Sequence, residues 1–300
     1  MKIQNIINKI HLGSNVEVLK TFPDECIDLT VTSPPYDTIR NYNKKLQTDE
    51  LIFNGYSFPF EELAQELFRV TNDGGVVVWV VGDETIDGSE SGNSFRQCLY
   101  FKDIGFRIHD TMIYEKTGIA FPSTNRYNQC FEYMFVLSKG KPKTTNLIKD
   151  KENTYKGASM WGKKTSRKQD DVLIEGKKSK ATNQDFGNRN NFWKIKNSIG
   201  FSTKDKEAHH IHPAIFPESL AHDHIKSWSN EGDVVLDPFS GSGTTAKMAK
   251  ILKRNYIGID INQKYVDFSI QRINEYGSCE LSNLFGDVKE ENNLSELFGN

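Results

Sequence analysis

The chain has 300 residues, of which 37% are hydrophobic and 26% are charged, and its formal net charge at pH 7 is −2. This composition is typical of a globular protein with one substantial core. It excludes the transmembrane class, because no apolar run approaches the roughly 20 residues of a membrane-spanning helix. The first residues, MKIQNIINKIHL, lack the apolar centre of a signal peptide, so we expect a cytoplasmic location. The four cysteines form no CxxC pair, which argues against a disulfide framework and a zinc site.

The first block, from about residue 8 to 140, alternates strand and helix patterns in the way that an α/β sheet does. The Asp-Gly-Gly sequence at 73–75 predicts a break before VVVWVV (76–81), a continuous apolar run typical of a strand buried on both faces. The predicted strands are 9–12, 26–32, 76–81, 106–116 and 130–140, and the predicted helices are 59–70 and 94–105.

The second of these strands ends in an unusual corner, VTSPPY, at residues 31–36. Each proline fixes its own φ, and Pro35 also keeps Pro34 out of the helical region, so the corner is predicted to be stiff and extended. It would hold Ser33, the carbonyl group of Pro34 and the ring of Tyr36 in fixed relative positions. A proline-terminated strand with a tyrosine packed over it explains these residues equally well.

A second block, from about residue 141 to 208, is rich in Lys, Asn, Ser, Thr and Gly. The segment 139–206 carries 18 Lys and Arg against 7 Asp and Glu, whereas the rest of the chain has 20 basic and 33 acidic side chains. This local charge indicates either a polyanion partner or a solvated, partly disordered insert. Its composition cannot form much core unaided, so we expect it to fold against the sheet or to order on a partner. Its isolated aromatic residues are Tyr155, Trp161, Phe186, Phe192, Trp193 and Phe201.

The third block, from residue 209 onward, resumes the α/β alternation and contains a candidate ligand turn. VVLDPFSGSGTTAKMAKIL places Asp237 at a strand end, followed by Gly241 and Gly243, which permit close approach of a ligand to a helix N-terminus. Asp260 ends the next strand, where nucleoside sites carry the group that binds ribose hydroxyls. Because Asp237 would repel a pyrophosphate, the pattern favours a nucleoside cofactor with a cation and no phosphates; its other interpretation is a plain strand-to-helix turn. The predicted strands are 234–237 and 256–260, and the predicted helices are 217–229, 244–253 and 263–276.

The sequences TSPPY (32–36) and DPFSGSGTT (237–245) resemble the catalytic and cofactor motifs of the S-adenosylmethionine-dependent DNA amino-methyltransferases. Three further segments, DGG with VVVW (73–79), FEYMFVLSKG (131–140) and HPAIFPESL (212–220), are similar to segments of that family. The catalytic motif precedes the cofactor motif, as in the circularly permuted β group. The resemblance implies an α/β fold with a Rossmann-like methyltransferase sheet. Residues 1–139 would form its catalytic half, 209–300 its cofactor-binding half, and 140–208 an inserted basic target-recognition region.

The resemblance also implies roles for individual residues. Ser33 Oγ and the Pro34 carbonyl would accept hydrogen bonds from the exocyclic amino group of a flipped base, Tyr36 would stack on that base, and Pro35 would help to preorganise the corner. S-adenosyl-L-methionine would be the cofactor, with Asp260 on its ribose. The residues implied for cofactor binding are Asp237, Phe239, Gly241, Gly243, Thr244, Asp260, His212, Pro213 and Phe216. No metal is expected, and the histidines of HHIH (209–212) and HDH (222–224) do not have a recognised zinc spacing.

The base specificity depends on one residue. The family mostly places Asp or Asn before PPY in adenine enzymes and Ser in cytosine-N4 enzymes, so Ser33 predicts a site-specific methyltransferase for N4 of cytosine in a restriction–modification system. The alternatives are N6-adenine methylation of DNA, a catalytically silent DNA-binding subunit, and a glutamine or RNA methyltransferase. One departure from the family is Gly13-Ser14-Asn15, where relatives often carry an acid.

The expected partner is double-stranded DNA, met through the basic region, with no membrane partner. The resemblance also allows a cognate restriction endonuclease and a homodimer.

Overall fold

The computed structural model describes residues 2–35, 58–117, 125–158, 163–167, 173–178, 182–196, 202–203, 205, 208–211 and 214–276. For 163–167 and 173–178 this description covers the backbone only. Three of the predicted site residues, Tyr36, His212 and Pro213, lie outside the described residues.

Strands and helices alternate over residues 9–81 and 218–276, as the sequence patterns predict. In order, the elements are β1 (Lys9–Leu12), α1 (Asn15–Leu19), β2 (Ile27–Thr32), α2 (Phe60–Val70), β3 (Thr71–Val81), β4 (Thr85–Ile86), β5 (Ser89–Glu90), α3 (Asn93–Asp103), β6 (Arg107–Lys116), β7 (Phe131–Ser138), β8 (Lys151–Glu152), β9 (Lys163–Arg167), β10 (Leu173–Lys178), β11 (Phe186–Gly187), β12 (Phe192–Ile195), α4 (Ala208–Ile211), α5 (Glu218–Trp228), β13 (Val234–Asp237), α6 (Thr244–Ile251), β14 (Asn255–Asp260) and α7 (Gln263–Tyr276).

The main sheet has eight strands in the order β1-β14-β13-β2-β3-β7-β6-β12. All neighbours pair in parallel except those of β7, which runs antiparallel to both β3 and β6. The central pair joins β13 to β2, with Val235 opposite Leu29, although these strands are about 200 residues apart in the sequence. The predicted α/β fold with a Rossmann-like sheet is confirmed. The carboxyl ends of β2 and β13 therefore lie side by side at the centre of one sheet edge.

Helices cover both faces of the sheet, so the central strands are buried on both sides. In β3, Val77 and Trp79 face the cluster formed with α1, α2 and α3. The alternate residues Val76 and Val78 face the cluster formed with α5 and α6. This two-sided burial explains the unbroken apolar run, because a strand between two helical layers has no solvent face. No helix in the part of the chain that the structure describes is long and apolar enough to cross a membrane.

The break predicted at residues 73–75 is wrong, since β3 begins at Thr71 and runs through the Asp-Gly-Gly sequence. The glycines act as a bulge instead: Gly74 has a φ of +75°, and the pairing of β2 with β3 shifts register there. The Gly74 N–H donates to the Lys139 carbonyl at 2.6 Å, and the Gly74 carbonyl accepts the Lys143 N–H at 3.0 Å. These hydrogen bonds fasten the start of the basic region to the amino end of the strand.

Part of the basic region folds against the sheet. Its last described strand, β12, pairs in parallel with β6 and extends the main sheet. Trp193 of β12 is buried and stacks on His224 of α5, with ring centroids 4.5 Å apart. Arg189 forms ion pairs with Asp150 of the same region and with Asp223 of α5, and the second pair fastens the region to that helix. The remaining strands of this region form two small antiparallel pairs, β8 with β11 and β9 with β10. The limits of the recognition region stay a prediction.

Candidate active site

The two predicted motifs meet where β2 and β13 end. The Thr32 hydroxyl, at the end of β2, donates to Asp237 Oδ1 at the end of β13 over 2.7 Å. The same oxygen accepts the N–H of Phe239 at 3.1 Å. Because parallel strands place their carboxyl ends at one edge of the sheet, two sequences far apart in the chain are joined by a buried hydrogen bond. The edge carries both the Ser-Pro-Pro corner and the glycine turn.

The corner continues directly from β2. Ser33 and Pro35 are partly buried and Pro34 is buried. These first three residues of the predicted catalytic set follow Thr32, whose hydroxyl contacts Asp237 at the end of β13. None of the three belongs to a helix or a strand, and the stiff extended corner expected from two consecutive prolines stays a prediction.

The segment 238–243 forms a tight turn between β13 and α6. Gly241 and Gly243 have φ values of +50° and +76°, in the left-handed region that glycine adopts without strain. A Cβ on Gly243 would come within 2.6 Å of the Ser269 Cβ, so this glycine is also needed for the packing of α7. α6 begins at Thr244, and its N-terminus therefore lies at the turn with the positive end of the helix dipole.

Asp260 closes the turn from the neighbouring strand. Its Oδ2 accepts the Gly241 N–H at 2.8 Å, and its Oδ1 accepts the Asn262 N–H at 2.8 Å. The Asp260 carbonyl accepts the N–H of Gly13, which joins the turn to the end of β1. Each carboxylate oxygen has a second lone pair, so Asp260 can still accept hydrogen bonds from ligand hydroxyls.

Both carboxyl groups are in surroundings that disfavour their ionised form. Burial raises the pKa of Asp237 to about 6, although hydrogen bonds from Thr32 and Phe239 oppose the rise. Burial also raises the pKa of Asp260 to about 7, and the nearby Asp237 charge adds to that rise. A cation with hydroxyl groups would stabilise both ionised forms, whereas a phosphate would be repelled. The two carboxylates therefore fit a positively charged nucleoside.

The remaining predicted cofactor residues differ in their surroundings. The ring of Phe239 is partly buried against Phe58, with centroids 5.0 Å apart. The hydroxyl of Thr244 is buried and accepts a hydrogen bond from Arg272 Nη1 at 3.0 Å, so it is engaged by the protein itself. Phe216 packs against the apolar cluster of α5 and α6.

Three residues near the turn were not predicted as site residues from the sequence. Asn15, in the segment that departs from the family pattern, is buried with its Nδ2 3.4 Å from the Pro238 carbonyl. Ile261 follows Asp260 directly and is 40% exposed. The sequence signal for this residue is an apolar side chain placed directly after a strand-end acid. Arg272 contacts the turn from α7, and no local pattern distinguishes it from any other helical arginine.

The histidines of the HDH sequence have structural contacts. His222 Nδ1 is 2.8 Å from Asp223 Oδ1, and burial lowers the pKa of His224, which stacks on Trp193, to about 3. The described residues contain no group of three or more His, Cys, Asp or Glu side chains arranged to hold a metal ion.

Curated relatives include several methyltransferases. M.BamHII, an orphan methyltransferase of Bacillus amyloliquefaciens, is 57% identical over 253 residues, which cover 84% of this chain and 91% of M.BamHII. M.HinfI, a type II methyltransferase of Haemophilus influenzae, is 30% identical over 289 residues, which cover 91% of this chain and 70% of M.HinfI.

Solved structures show the same fold. The cytosine-N4-specific PvuII DNA methyltransferase superposes with a TM-score of 0.58 at 19% identity, over 89% of this chain and 90% of its own. TTHA0409 of Thermus thermophilus, in complex with S-adenosyl-L-methionine, superposes with a TM-score of 0.56 at 22% identity, over 90% of this chain and 94% of its own. A family model described as DNA methylase, of the N6/N4 type, matches residues 27–272. The chain therefore belongs to the N6/N4 DNA methylase family.

Proposed function

We propose that the protein is a site-specific DNA methyltransferase that uses S-adenosyl-L-methionine to methylate N4 of cytosine in a flipped base. The observation that carries this proposal is the 2.7 Å hydrogen bond from Thr32 to Asp237. It holds the Ser-Pro-Pro corner beside the carboxylate of the glycine turn, so an amino acceptor and a methyl donor bound at these two motifs would be neighbours. Membership of the DNA methylase family supports DNA as the substrate.

The cofactor fits the charges and donors of the turn. Asp260 would bind the ribose hydroxyls, Asp237 would favour the cationic part, and the exposed face of Ile261 would pack against the adenine. Gly241 and Gly243 let the backbone approach the ligand closely. S-adenosyl-L-methionine supplies a methyl group on a sulfonium, which is both electrophilic and a good leaving group. The complex of TTHA0409 with this compound supports the assignment.

The corner prepares the amino group for attack. An exocyclic amino nitrogen is a weak nucleophile because its lone pair is delocalised into the ring. Ser33 Oγ and the Pro34 carbonyl would accept its two N–H hydrogens and direct the lone pair out of the ring plane. Pro35 restricts the backbone of Pro34, so these acceptors are in position before the base arrives. Tyr36 would stack on the flipped base.

Ser33 supports cytosine N4 as the methylated atom, because the residue before PPY is mostly Ser in cytosine-N4 enzymes. The shared fold of the cytosine-N4-specific PvuII enzyme agrees with this assignment. N6 of adenine is the second candidate, since only the residue before PPY separates the two.

Mass spectrometry of methylated nucleosides tests the function. Purified protein is incubated with S-adenosyl-L-methionine and mixed-sequence DNA, and the DNA is digested to nucleosides. N4-methylcytosine is the expected product. N6-methyladenine would keep the mechanism and change the base, whereas cofactor binding without a methylated base would favour a silent DNA-binding subunit.

Residues 140–208 are the proposed target-recognition region, inserted between the catalytic half (1–139) and the cofactor-binding half (209–300). Its excess of basic side chains supports contact with double-stranded DNA. A homodimer remains part of the proposal, and sedimentation with and without DNA tests it.

Pairing with a restriction endonuclease is supported by the type II relative M.HinfI. The 57% identical relative M.BamHII is an orphan methyltransferase, which favours action without a nuclease. Deletion of the gene from its host separates the two cases, because loss of protective methylation is harmful only where a cognate nuclease is active.

A further inference from the structure

A buried cluster of four charged side chains lies beneath the glycine turn. Arg272 of α7 and Lys247 of α6 are each 1% exposed, Glu218 at the start of α5 is 5% exposed, and Asp205 is 6% exposed. Lys247 Nζ lies 2.8 Å from Glu218 Oε1 and 3.6 Å from Asp205 Oδ2. Two positive and two negative groups balance in charge, as buried ions must if they are to remain ionised.

Arg272 is the centre of this cluster and uses all five of its N–H donors. Its Nε donates to the Asp205 carboxylate. Its Nη2 donates to Thr203 Oγ1 at 2.9 Å and to Glu218 Oε1 at 2.6 Å. Its Nη1 donates to the Ser242 carbonyl at 2.9 Å and to Thr244 Oγ1 at 3.0 Å. A guanidinium has five donors in a planar fork, so these acceptors leave it fully satisfied and fix its orientation.

One side of the guanidinium holds the glycine turn. The Ser242 carbonyl lies between Gly241 and Gly243, the two residues with positive φ that give the turn its shape. Without a partner for that carbonyl, these two flexible positions could rotate the intervening peptide groups. Thr244 begins α6, so the same hydrogen bonds also fix the helix N-terminus at the turn.

The other side of the guanidinium contacts Thr203 and Asp205, which follow the last strand of the basic region. Thr203 and Asp205 precede α4, and the Thr203 hydroxyl also donates to Glu218 Oε1 at 2.6 Å. The Glu218 N–H donates to the carbonyl of Ser202. Arg272 thus joins this segment to the turn through direct contacts on both sides.

We propose that Arg272 is a positioning residue for the cofactor turn, and that Thr203 and Asp205 contribute to cofactor affinity through it. This role rests on the proposed function, because it assigns the turn to S-adenosyl-L-methionine. If the turn became ordered only when the ligand binds, that ordering would cost free energy and weaken binding. A preorganised turn avoids this cost. The guanidinium contacts the turn, Thr203 and Asp205, and none of the residues proposed to hold the flipped base. The rate at saturating cofactor should therefore be preserved.

The test compares Arg272→Lys with the wild type by calorimetry and by steady-state kinetics. Lysine keeps the charge that Glu218 and Asp205 require but cannot reproduce the fork. We expect the Kd for S-adenosylhomocysteine and the KM for S-adenosyl-L-methionine to rise about tenfold, as for the loss of one or two charged hydrogen bonds, with kcat within about twofold. If Arg272 only stabilised the fold, its replacement by lysine would lower the fraction of active enzyme, and hence the apparent kcat, without changing Kd or KM.

Arg254→Lys is the matched control. Arg254 is partly buried, whereas Arg272 is fully buried, and it likewise holds backbone carbonyls through its guanidinium. It donates to Ser229 Oγ at 3.0 Å and to the carbonyls of Ser229 and Leu252, at the amino edge of the sheet. It should lower the melting temperature and leave Kd and KM unchanged.

Unchanged Kd and KM in Arg272→Lys would overturn the positioning role alone. A wild-type protein that binds neither compound would contradict the proposed function and, with it, this role. Should Arg272→Lys fail to fold, the isosteric Thr203→Val removes the hydroxyl that accepts from Arg272 and donates to Glu218 but removes no charge, and it should raise Kd by about threefold. An unchanged Kd in that variant would likewise overturn the proposal.

Discussion

The carboxylate of Asp237 is buried, and the hydrogen bonds that it accepts in the folded protein do not fully offset its loss of hydration. Its pKa rises from an ordinary 3.8 to about 6, so the folded state binds the proton more tightly than the unfolded state does. Its contribution to stability is therefore most favourable below pH 3.8, and it is lost as the pH rises through the folded pKa. The carboxylate thus opposes folding at neutral pH in the absence of a cation.

Asp237→Asn should accordingly stabilise the cofactor-free protein at pH 8. The hydrogen bonds from Thr32 and Phe239 end on Oδ1 of Asp237, which an asparagine oxygen can replace. We expect a gain on the order of 2 kcal/mol in the free energy of unfolding, which disappears towards pH 4. Calorimetric melting at both pH values measures it. A variant less stable than the wild type at pH 8 would contradict the inference that the ionised carboxylate destabilises the folded protein.

Cofactor affinity should weaken at acidic pH. The pKa of Asp260 is about 7 and that of Asp237 about 6, so lowering the pH from 8 to about 5.5 protonates both groups. The cationic part of the cofactor then loses the nearby negative charge, and its ribose hydroxyls lose a charged acceptor. The Kd for S-adenosyl-L-methionine therefore rises. Titration calorimetry across this range measures the effect, and Asp260→Asn should remove the inflection near pH 7. A Kd independent of pH would place the ligand away from these carboxylates.

Asp237 and Ser33 should differ in the step that they affect. Asp237→Ala should abolish cofactor binding, because it removes the carboxylate that joins the turn to β2. Ser33→Ala should leave binding nearly intact and slow methyl transfer by about 100-fold, the scale on which one preorganised hydrogen bond acts. Equilibrium binding and single-turnover rates separate the two. Equal loss of binding in both variants would contradict the assigned roles.

At the scale of the element, the β9–β10 hairpin is a candidate for DNA contact. A two-stranded ribbon is narrow enough to enter the major groove, and its basic side chains can neutralise phosphates. Replacing these residues with Ser should weaken DNA binding about tenfold and flatten the dependence of log Kd on log salt. Binding measured from about 50 to 200 mM salt gives both quantities. The basic residues of the hairpin are Lys163, Lys164, Arg167, Lys177 and Lys178.

Lys20 and Lys253 provide the control for this experiment. Both are exposed, and both pair with acidic neighbours outside the basic region. Replacing them with Ser should leave the salt slope unchanged. A hairpin variant that retains the wild-type slope would assign the phosphate contacts to another part of the chain.

Elements with strong local patterns could be predicted from the sequence, whereas those that depend on distant partners could not. The strands 9–12 and 234–237 and the helix 263–276 have the predicted limits, because their apolar periodicity matches the faces that they bury. β12 was missed, since its four residues lie in a polar segment and its alternate burial depends on His224 of α5.

The same distinction applies within the site. The turn and the corner are local sequences whose glycines and prolines restrict the backbone directly, so their residues could be named in advance. The Arg272 cluster joins α5, α6 and α7 to Asp205, and its members lie up to 67 residues apart. Such a cluster depends on tertiary packing, and a single arginine in a helical pattern carries no signal of it.

At the scale of the whole molecule, the strand order explains how a permuted sequence builds one site. The central pair β13–β2 is formed by strands from opposite halves of the chain, and the helices on both faces bury them together. Neither half contains the site alone, since one supplies the corner and the other the turn. The basic region between them reaches back to the sheet through β12 and to α5 through Arg189.

The bond between Thr32 and Asp237 also has a consequence for synthesis of the protein. Its two residues are separated by 205 positions. At about 5 to 20 residues per second, the ribosome makes the corner on the order of 10 to 40 s before the carboxylate that it binds. During that interval β2 has no neighbour on the side that β13 will occupy. A growing chain therefore carries an open sheet edge at its candidate active site, and its solubility during translation depends on how that edge is covered.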